Sequence, residues 1–284
     1  MDLGFALRVL KQALKSFFKD NVLSLSAALS FYTLLSFAPL LVLALWMTSS
    51  IGYDSQEVLL EQLDSLAGSG ARDTAEVVIQ SASEEPYIGS MAGIAGLGIS
   101  LIGATTAFAQ LQASLNQIWG IKVPPGRAIW VWLRRRLLSL ALIGLLVCIL
   151  ILSLSVSSAL GIFLAKAGQS WDMLNQLVST LVIIGLFTVL FRYLADANLD
   201  WRKAVLGGVV TGVLFSLGKW GIGNYLARGD VGGAYGAAGS VVVLMVWVYY
   251  SSAIFFFGAE ILQAWYRLRG RTIPAAEHAV KVRD

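Results

Sequence analysis

The sequence predicts an all-α fold: a polytopic membrane protein of six transmembrane helices, with an N-terminal interfacial helix and a short extracytoplasmic helical hairpin. Three observations predict it. Of 284 residues, 57% are hydrophobic and 13% charged, against roughly 45–50% and 25% in water-soluble globules. Six apolar runs are each long enough to cross about 30 Å of hydrocarbon, which takes roughly 20 helical residues. Lys and Arg concentrate in alternate loops between those runs, as they do when cytoplasmic loops carry the positive charge.

The runs fall near residues 22–48, 88–118, 137–165, 174–194, 203–226 and 240–264. Ahead of the first, Leu3, Leu7, Leu10, Leu14 and Phe17 or Phe18 recur at helical spacing, with Arg8, Lys11, Lys15 and Lys19 on the flank. That is the pattern of a helix lying in the inner interface and anchoring the first span. The first run outlasts the roughly 7–15 residues of a signal-peptide core and is followed by further spans, so it reads as an anchor.

Orientation follows from the basic residues. The N-terminal segment, the second loop (Lys122, Arg127, Arg134, Arg135, Arg136), the fourth loop (Arg192, Arg202, Lys203) and the tail (Arg267, Arg269, Arg271, Lys281, Arg283) hold seventeen of the 21. Arg72, Lys166 and Arg228 fall on the other side, and Lys219 lies inside a span. This asymmetry places both termini in the cytoplasm. Trp119, Trp130, Trp132, Trp201 and Trp265 at inner ends, and Trp46 and Trp171 at outer ends, mark the same boundaries, because Trp prefers the headgroup level. Residues 1–271 form one membrane domain in this reading, and 272–284 a polar cytoplasmic tail.

The first external loop, 51–87, holds Asp54, Glu57, Glu61, Asp64, Asp73, Glu76, Glu84 and Glu85 against Arg72 alone. Leu59, Leu60, Leu63 and Leu66 suggest one short helix, Ala75, Val78, Ile79 and Ala82 a second, with Gly68-Ser69-Gly70 as the turn. Such a hairpin either caps the bundle as a solvated face or docks a periplasmic partner. Loop five, from Ala227 to Gly239, carries five glycines around Tyr235. It is either a plain turn or a segment dipping back between helices, where irregular backbone lines a cavity; Asp230 lies within it.

Catalytic chemistry is sparse. One Cys (Cys148) and one His (His278) leave no cluster for a metal and no intrachain disulfide, and no cofactor is expected. Gly212 to Lys219 imitates a phosphate loop, but with five residues between its glycines instead of four, and Trp220 stands where Ser or Thr holds magnesium. Asp20, Asp196, Asp200 and Glu260 are too scattered to argue a two-metal site. The basic residues are accounted for by topology, so no nucleic-acid partner is expected; the partners are membrane lipids and an envelope or periplasmic protein.

Polar side chains at membrane depth are more telling, because they are costly there and face the bundle interior or a water-filled path. Lys219 shares an arc of about 80° with Gly208, Gly212, Ser216 and Gly223 at 100° per residue, the small-residue face that packs against other helices. It stands about 24 Å beyond Lys203 at 1.5 Å per residue, where it either snorkels outward, pairs with Asp230 or serves a substrate. Glu260 lies near the cytoplasmic end of the sixth span, at the depth of Ser26, Ser30 and Thr33 on the first and Thr105, Gln112 and Asn116 on the second. These groups either line a polar cavity open to the cytoplasm or tie the helices together by hydrogen bonds. Pro39 removes a backbone bond from the first span and predicts a kink.

Three segments carry a family resemblance: Ser26-Ala-Ala-Leu-Ser-Phe-Tyr-Thr-Leu-Leu-Ser-Phe-Ala-Pro39, then Leu115-Asn-Gln-Ile-Trp-Gly120, then Tyr235-Gly-Ala-Ala-Gly-Ser-Val through Gly258-Ala-Glu260. Over roughly residues 5–270 the chain resembles the YihY/BrkB family of bacterial inner-membrane proteins, once labelled ribonuclease BN. The resemblance implies a six-span helical protein of the bacterial envelope, associated in some members with virulence or serum resistance, with a suspected role in envelope lipid movement. It nominates Tyr32, Pro39, Asn116, Trp119, Tyr235, Gly236 and Glu260 as functional positions.

The reading that unites these features is a non-enzymatic transporter or flippase-like protein of the inner membrane that moves a lipid or another amphipathic substrate. Arg134, Arg135 and Arg136 with Trp119 form its inner headgroup rim, and Lys219, Glu260, Tyr32, Ser30, Asn116, Gln112, Tyr235, Gly236 and Asp230 its path. A second reading is a structural or adaptor protein whose acidic loop docks a periplasmic partner. A third is the ribonuclease of the old label.

Overall fold

The computed structural model describes residues 3–49, 57, 60–61, 63–64, 69–84, 91–124, 144, 169–228 and 239–282. Among them run seven helices: α1 (Leu3–Lys19), α2 (Val22–Ser49), α3 (Ser69–Glu84), α4 (Met91–Ile118), α5 (Gln169–Tyr193), α6 (Trp201–Arg228) and α7 (Gly239–Arg267). Two short strands, β1 (Ile121–Lys122) and β2 (Val280–Lys281), complete the described elements. Helices thus occupy five of the six predicted apolar runs. The run at 137–165 lies outside the described residues apart from Gly144, as do Arg134, Arg135, Arg136, Asp230, Tyr235 and Gly236. Among the described residues, α7 is by itself long and apolar enough to cross a membrane, at 29 residues and a mean hydropathy of 2.0 in its most apolar stretch.

Three helix ends are set by residues in the left-handed region. Asn21 (φ 53°) ends α1, Gly120 (φ 62°) follows α4 and Gly270 (φ 65°) follows α7. Asn and Gly are the residues that adopt this conformation at least cost. At α7 the Arg271 N–H bonds the Tyr266 carbonyl at 3.0 Å and the Gly270 N–H the Arg267 carbonyl at 3.0 Å, satisfying the helix's last acceptors and turning the chain back. At Asn21 the chain bends by 64° between α1 and the first part of α2. Pro39 lies inside α2, and the helix continues past it to Ser49.

The chain divides into two compact units. The first comprises residues 1–25, 111–218 and 253–284. Its core is aromatic: Phe191 and Phe255 stack at 4.8 Å, Phe187 and Phe255 at 5.5 Å, and Trp119 lies 6.1 Å from Phe191. Small residues let its helices approach closely. A Cβ added to Gly208 of α6 would come within 2.8 Å of the Ile184 carbonyl of α5, and one on Gly258 of α7 would meet Thr211 of α6. The packing face assigned to Gly208 and Gly212 from their spacing is the face in contact with α5.

The tail belongs to this same unit. Residues 273–282 pack back onto it, with Ile273 buried and β2 pairing antiparallel with β1. The physical reason is that the αL turn at Gly270 reverses the chain, and the backbone of the tail then finds partners. Asn198 N–H bonds the Pro274 carbonyl, Ala276 N–H the Asp196 carbonyl and Val282 N–H the Gly120 carbonyl, each at 2.9 Å.

The second unit comprises residues 26–110 and 219–252. Here α2 and the helical residues of 57–84 share a small core of Leu41, Leu60, Ala75 and Ile79, flanked by Phe37, Leu63 and Val78. Helical residues at 57, 60–61 and 63–64 followed by α3 match the predicted hairpin, except that Ser69 and Gly70, assigned to the turn, already belong to α3. Arg72, the loop's lone cation, bonds Glu57 at 2.8 Å and Glu76 at 3.0 Å. Those two carboxylates raise its guanidinium above its ordinary pKa.

Candidate functional site

In the first unit, α4 ends with Gln112 and Asn116 one turn apart and buried. Both face Asp196, in the turn after α5. Asn116 donates from Nδ2 to Asp196 Oδ2 at 2.7 Å and accepts the Asp196 backbone N–H at 3.0 Å. Gln112 donates to Asp196 Oδ1 at 3.4 Å, and His278 Nε2 lies 2.8 Å from the same oxygen. A buried carboxylate is tolerated when its lone pairs are filled in this way. Gln112 and Asn116 are therefore engaged in holding α4, the α5 turn and the tail together.

Around this node, Trp119 is fully buried and donates from Nε1 to the Ala259 carbonyl of α7 at 3.2 Å. Gln263 Nε2 donates to the Ile118 carbonyl at 2.5 Å, and Lys281 Nζ donates to the Trp119 carbonyl at 2.6 Å. Sequence reasoning missed Asp196, Gln263 and Lys281 as members of this cluster, because their partners lie 80 or more residues away.

Glu260 behaves differently. It is 0% exposed, neither carboxylate oxygen has a donor at strict hydrogen-bond geometry among the described residues, and the Asp20 side chain lies within hydrogen-bonding reach of it. One turn further along α7, Gln263 Oε1 is likewise buried without a donor. The charged groups acting on Glu260 are Asp20 and Arg267. Asp20 arrives through α1, whose Phe17 meets Phe257 of α7 edge-on at 5.7 Å; Asp20 stands three residues past Phe17, and Glu260 three past Phe257. The αL residue Asn21 then turns the chain away into α2. The site thus gathers the Glu260 carboxylate and the unsatisfied Gln263 Oε1 on one face of α7, beside the Asp20 carboxylate.

The remaining predicted residues lie in the second unit. Ser30 donates to the Met245 carbonyl at 2.7 Å, and the Tyr32 carbonyl accepts from Ser36 Oγ at 2.7 Å. The Tyr32 ring is half-buried beside Phe31. Lys219 is half-buried, and Asp64 is a charged group acting on it.

Long apolar helices joined through small-residue contacts, with polar groups buried at their ends, define a helical membrane protein. The comparisons agree. The chain belongs to the virulence factor BrkB family, whose model matches residues 13–282 and so includes the returning tail. It is 27% identical over 264 residues to a UPF0761 membrane protein of Rhodospirillum centenum, covering 90% of this chain and 57% of the relative. It is also 27% identical over 253 residues to a UPF0761 membrane protein of Alkalilimnicola ehrlichii (87% and 56%). A UPF0761 membrane protein of Methylibium petroleiphilum is 27% identical over 256 residues (88% and 60%). The chain therefore spans little more than half the length of these relatives. No solved structure matches it.

Proposed function

We propose that this protein is a non-enzymatic transporter of the bacterial inner membrane, six-spanning with both termini cytoplasmic, which moves a lipid or similarly amphipathic substrate. The observation that carries this reading is Glu260: a carboxylate fully buried on an apolar helix, with another acid, Asp20, within hydrogen-bonding reach. An ionisable group at membrane depth is expensive, and where one persists it marks a substrate or ion path. Gln112 and Asn116 contribute by fixing the helix ends around it, and Lys219 provides a positive station in the other unit.

The test is leaflet exchange of fluorescent phospholipid in liposomes containing the purified protein. Exchange by wild type that disappears in Glu260→Ala and Lys219→Ala supports the reading; normal exchange by both variants overturns it.

A second reading rests on the external hairpin, where Glu57, Glu61, Asp64, Asp73 and Glu76 are all exposed. An acidic surface of this kind suits a basic periplasmic partner, making the protein an adaptor. Deleting residues 55–85 then abolishes function in cells while Lys219→Ala and Glu260→Ala leave it intact.

A further inference from the structure

Helix α1 has three faces. Val9, Ala13 and Ser16 are buried, while Leu3, Leu7, Leu10, Leu14 and Phe18 point outward, 48–79% exposed. The cations Arg8, Lys11, Lys15 and Lys19 occupy a third arc between them, at 100° per residue. A helix that turns small residues to its own protein and large apolar ones outward, with cations at the border, has the pattern of one lying at the boundary of headgroups and acyl chains.

Beside α1, toward α6 and α7, lies a groove of about 260 Å³. Its walls are apolar, among them Ala6, Val9, Leu206, Val210, Ile261 and Trp265. Three cations cluster at one end. Lys203 rests on the Trp265 ring at 4.2 Å, Arg269 on the same ring at 4.1 Å and on Phe5 at 5.5 Å, and Arg8 on Phe5 at 5.9 Å. Among the described residues none of the three is paired with a carboxylate. Held over ring faces, they keep hydrogen-bond donors available for an anion.

We infer that this groove seats one acyl chain of an anionic phospholipid, with the phosphate and headgroup held by Lys203, Arg269 and Arg8. An apolar slot ending in a cluster of unpaired cations, beside a helix with the pattern of a membrane-interface helix, matches a molecule that is apolar along its length and negative at its end. The inference deepens the transport reading, on which it rests for the lipid's role as substrate: the groove residues Ile261 and Trp265 are carried by α7, the helix that also carries Glu260.

The experiment uses purified protein in vesicles doped with phosphatidylglycerol or phosphatidylcholine carrying a photoactivatable group in the acyl chain, followed by peptide mapping. The phosphatidylglycerol probe is expected to label residues 6–10, 206–210 and 261–265 several-fold more than phosphatidylcholine does. In the double variant Lys203→Gln/Arg269→Gln, whose changes lie at the rim, the preference falls to none. Equal labelling by both lipids in wild type, no labelling of these segments, or an unchanged preference in the double variant overturns the inference. Leaflet exchange measured on the same vesicles separates the two claims. Preferential labelling without exchange keeps the lipid site and removes the transport role, whereas exchange without preferential labelling removes the site and leaves transport standing.

Discussion

Asn116 and Asp196, 80 residues apart in the chain, grip each other reciprocally: the side-chain amide donates to the carboxylate at 2.7 Å and accepts the aspartate's backbone N–H at 3.0 Å. One side chain thus satisfies a buried charge and a buried backbone donor together. Asn116→Ala leaves both groups without these partners and is expected to cost about 1–3 kcal/mol, the range for an orphaned buried polar group. Gln112→Ala, which gives up only a 3.4 Å bond, costs less. Thermal melting of the detergent-solubilised variants checks the order.

The tail is part of the same construction. Removing residues 272–284 takes away β2, the His278 contact to Asp196 and the Lys281 bond to the Trp119 carbonyl. The truncated protein is expected to melt lower than Asn116→Ala and to be cleaved faster near Lys122 in limited proteolysis. His278→Ala alone, which leaves the strand pair in place, has a smaller effect on both measures.

Close helix contacts predict a rescue. Gly258→Ala forces a methyl group onto Thr211, whose own Cβ would lie 3.0 Å from it. The variant is therefore destabilised, and adding Thr211→Ala recovers part of the loss by removing the hydroxyl in the way. Neighbouring substitutions couple in this manner, whereas distant ones add. A double-mutant cycle read by thermal melting tests it.

In the second unit, the hairpin is held by its apolar core rather than by its ion pairs. Ile79→Ala is expected to lose about 2–5 kcal/mol, as large-to-small core changes do. Arg72→Ala, at an exposed pair screened by solvent, loses much less. Protease resistance of the loop in the intact protein distinguishes them.

Much of this was readable in the sequence. The run predicted at 22–48 became Val22–Ser49, and the run at 240–264 became Gly239–Arg267, because apolar length alone sets such helices. Gly208 and Gly212 announced a packing face through their four-residue spacing. What could not be read was pairing across long separations. Asp196 looked like one scattered acid, and nothing local tells that two residues at 280–281 will pair with two at 121–122. The approach of Asp20 to Glu260 accompanies the packing of Phe17, three residues earlier, on Phe257, a contact between residues 240 apart. The unsatisfied Gln263 Oε1 carried one faint signal, its position a single helical turn from Glu260.

On the proposed function, the buried carboxylate of Glu260 is kept for transport and not for stability. The direct measurement is leaflet exchange and thermal melting side by side for wild type, Glu260→Gln and Glu260→Leu. Replacing a buried carboxylate that faces another acid with a neutral or apolar group of similar size is neutral or stabilising when the charge serves only function. Both variants are expected to melt at or above wild type and to lose exchange. Exchange at the wild-type rate in either variant, or a marked fall in melting temperature in both, would contradict it.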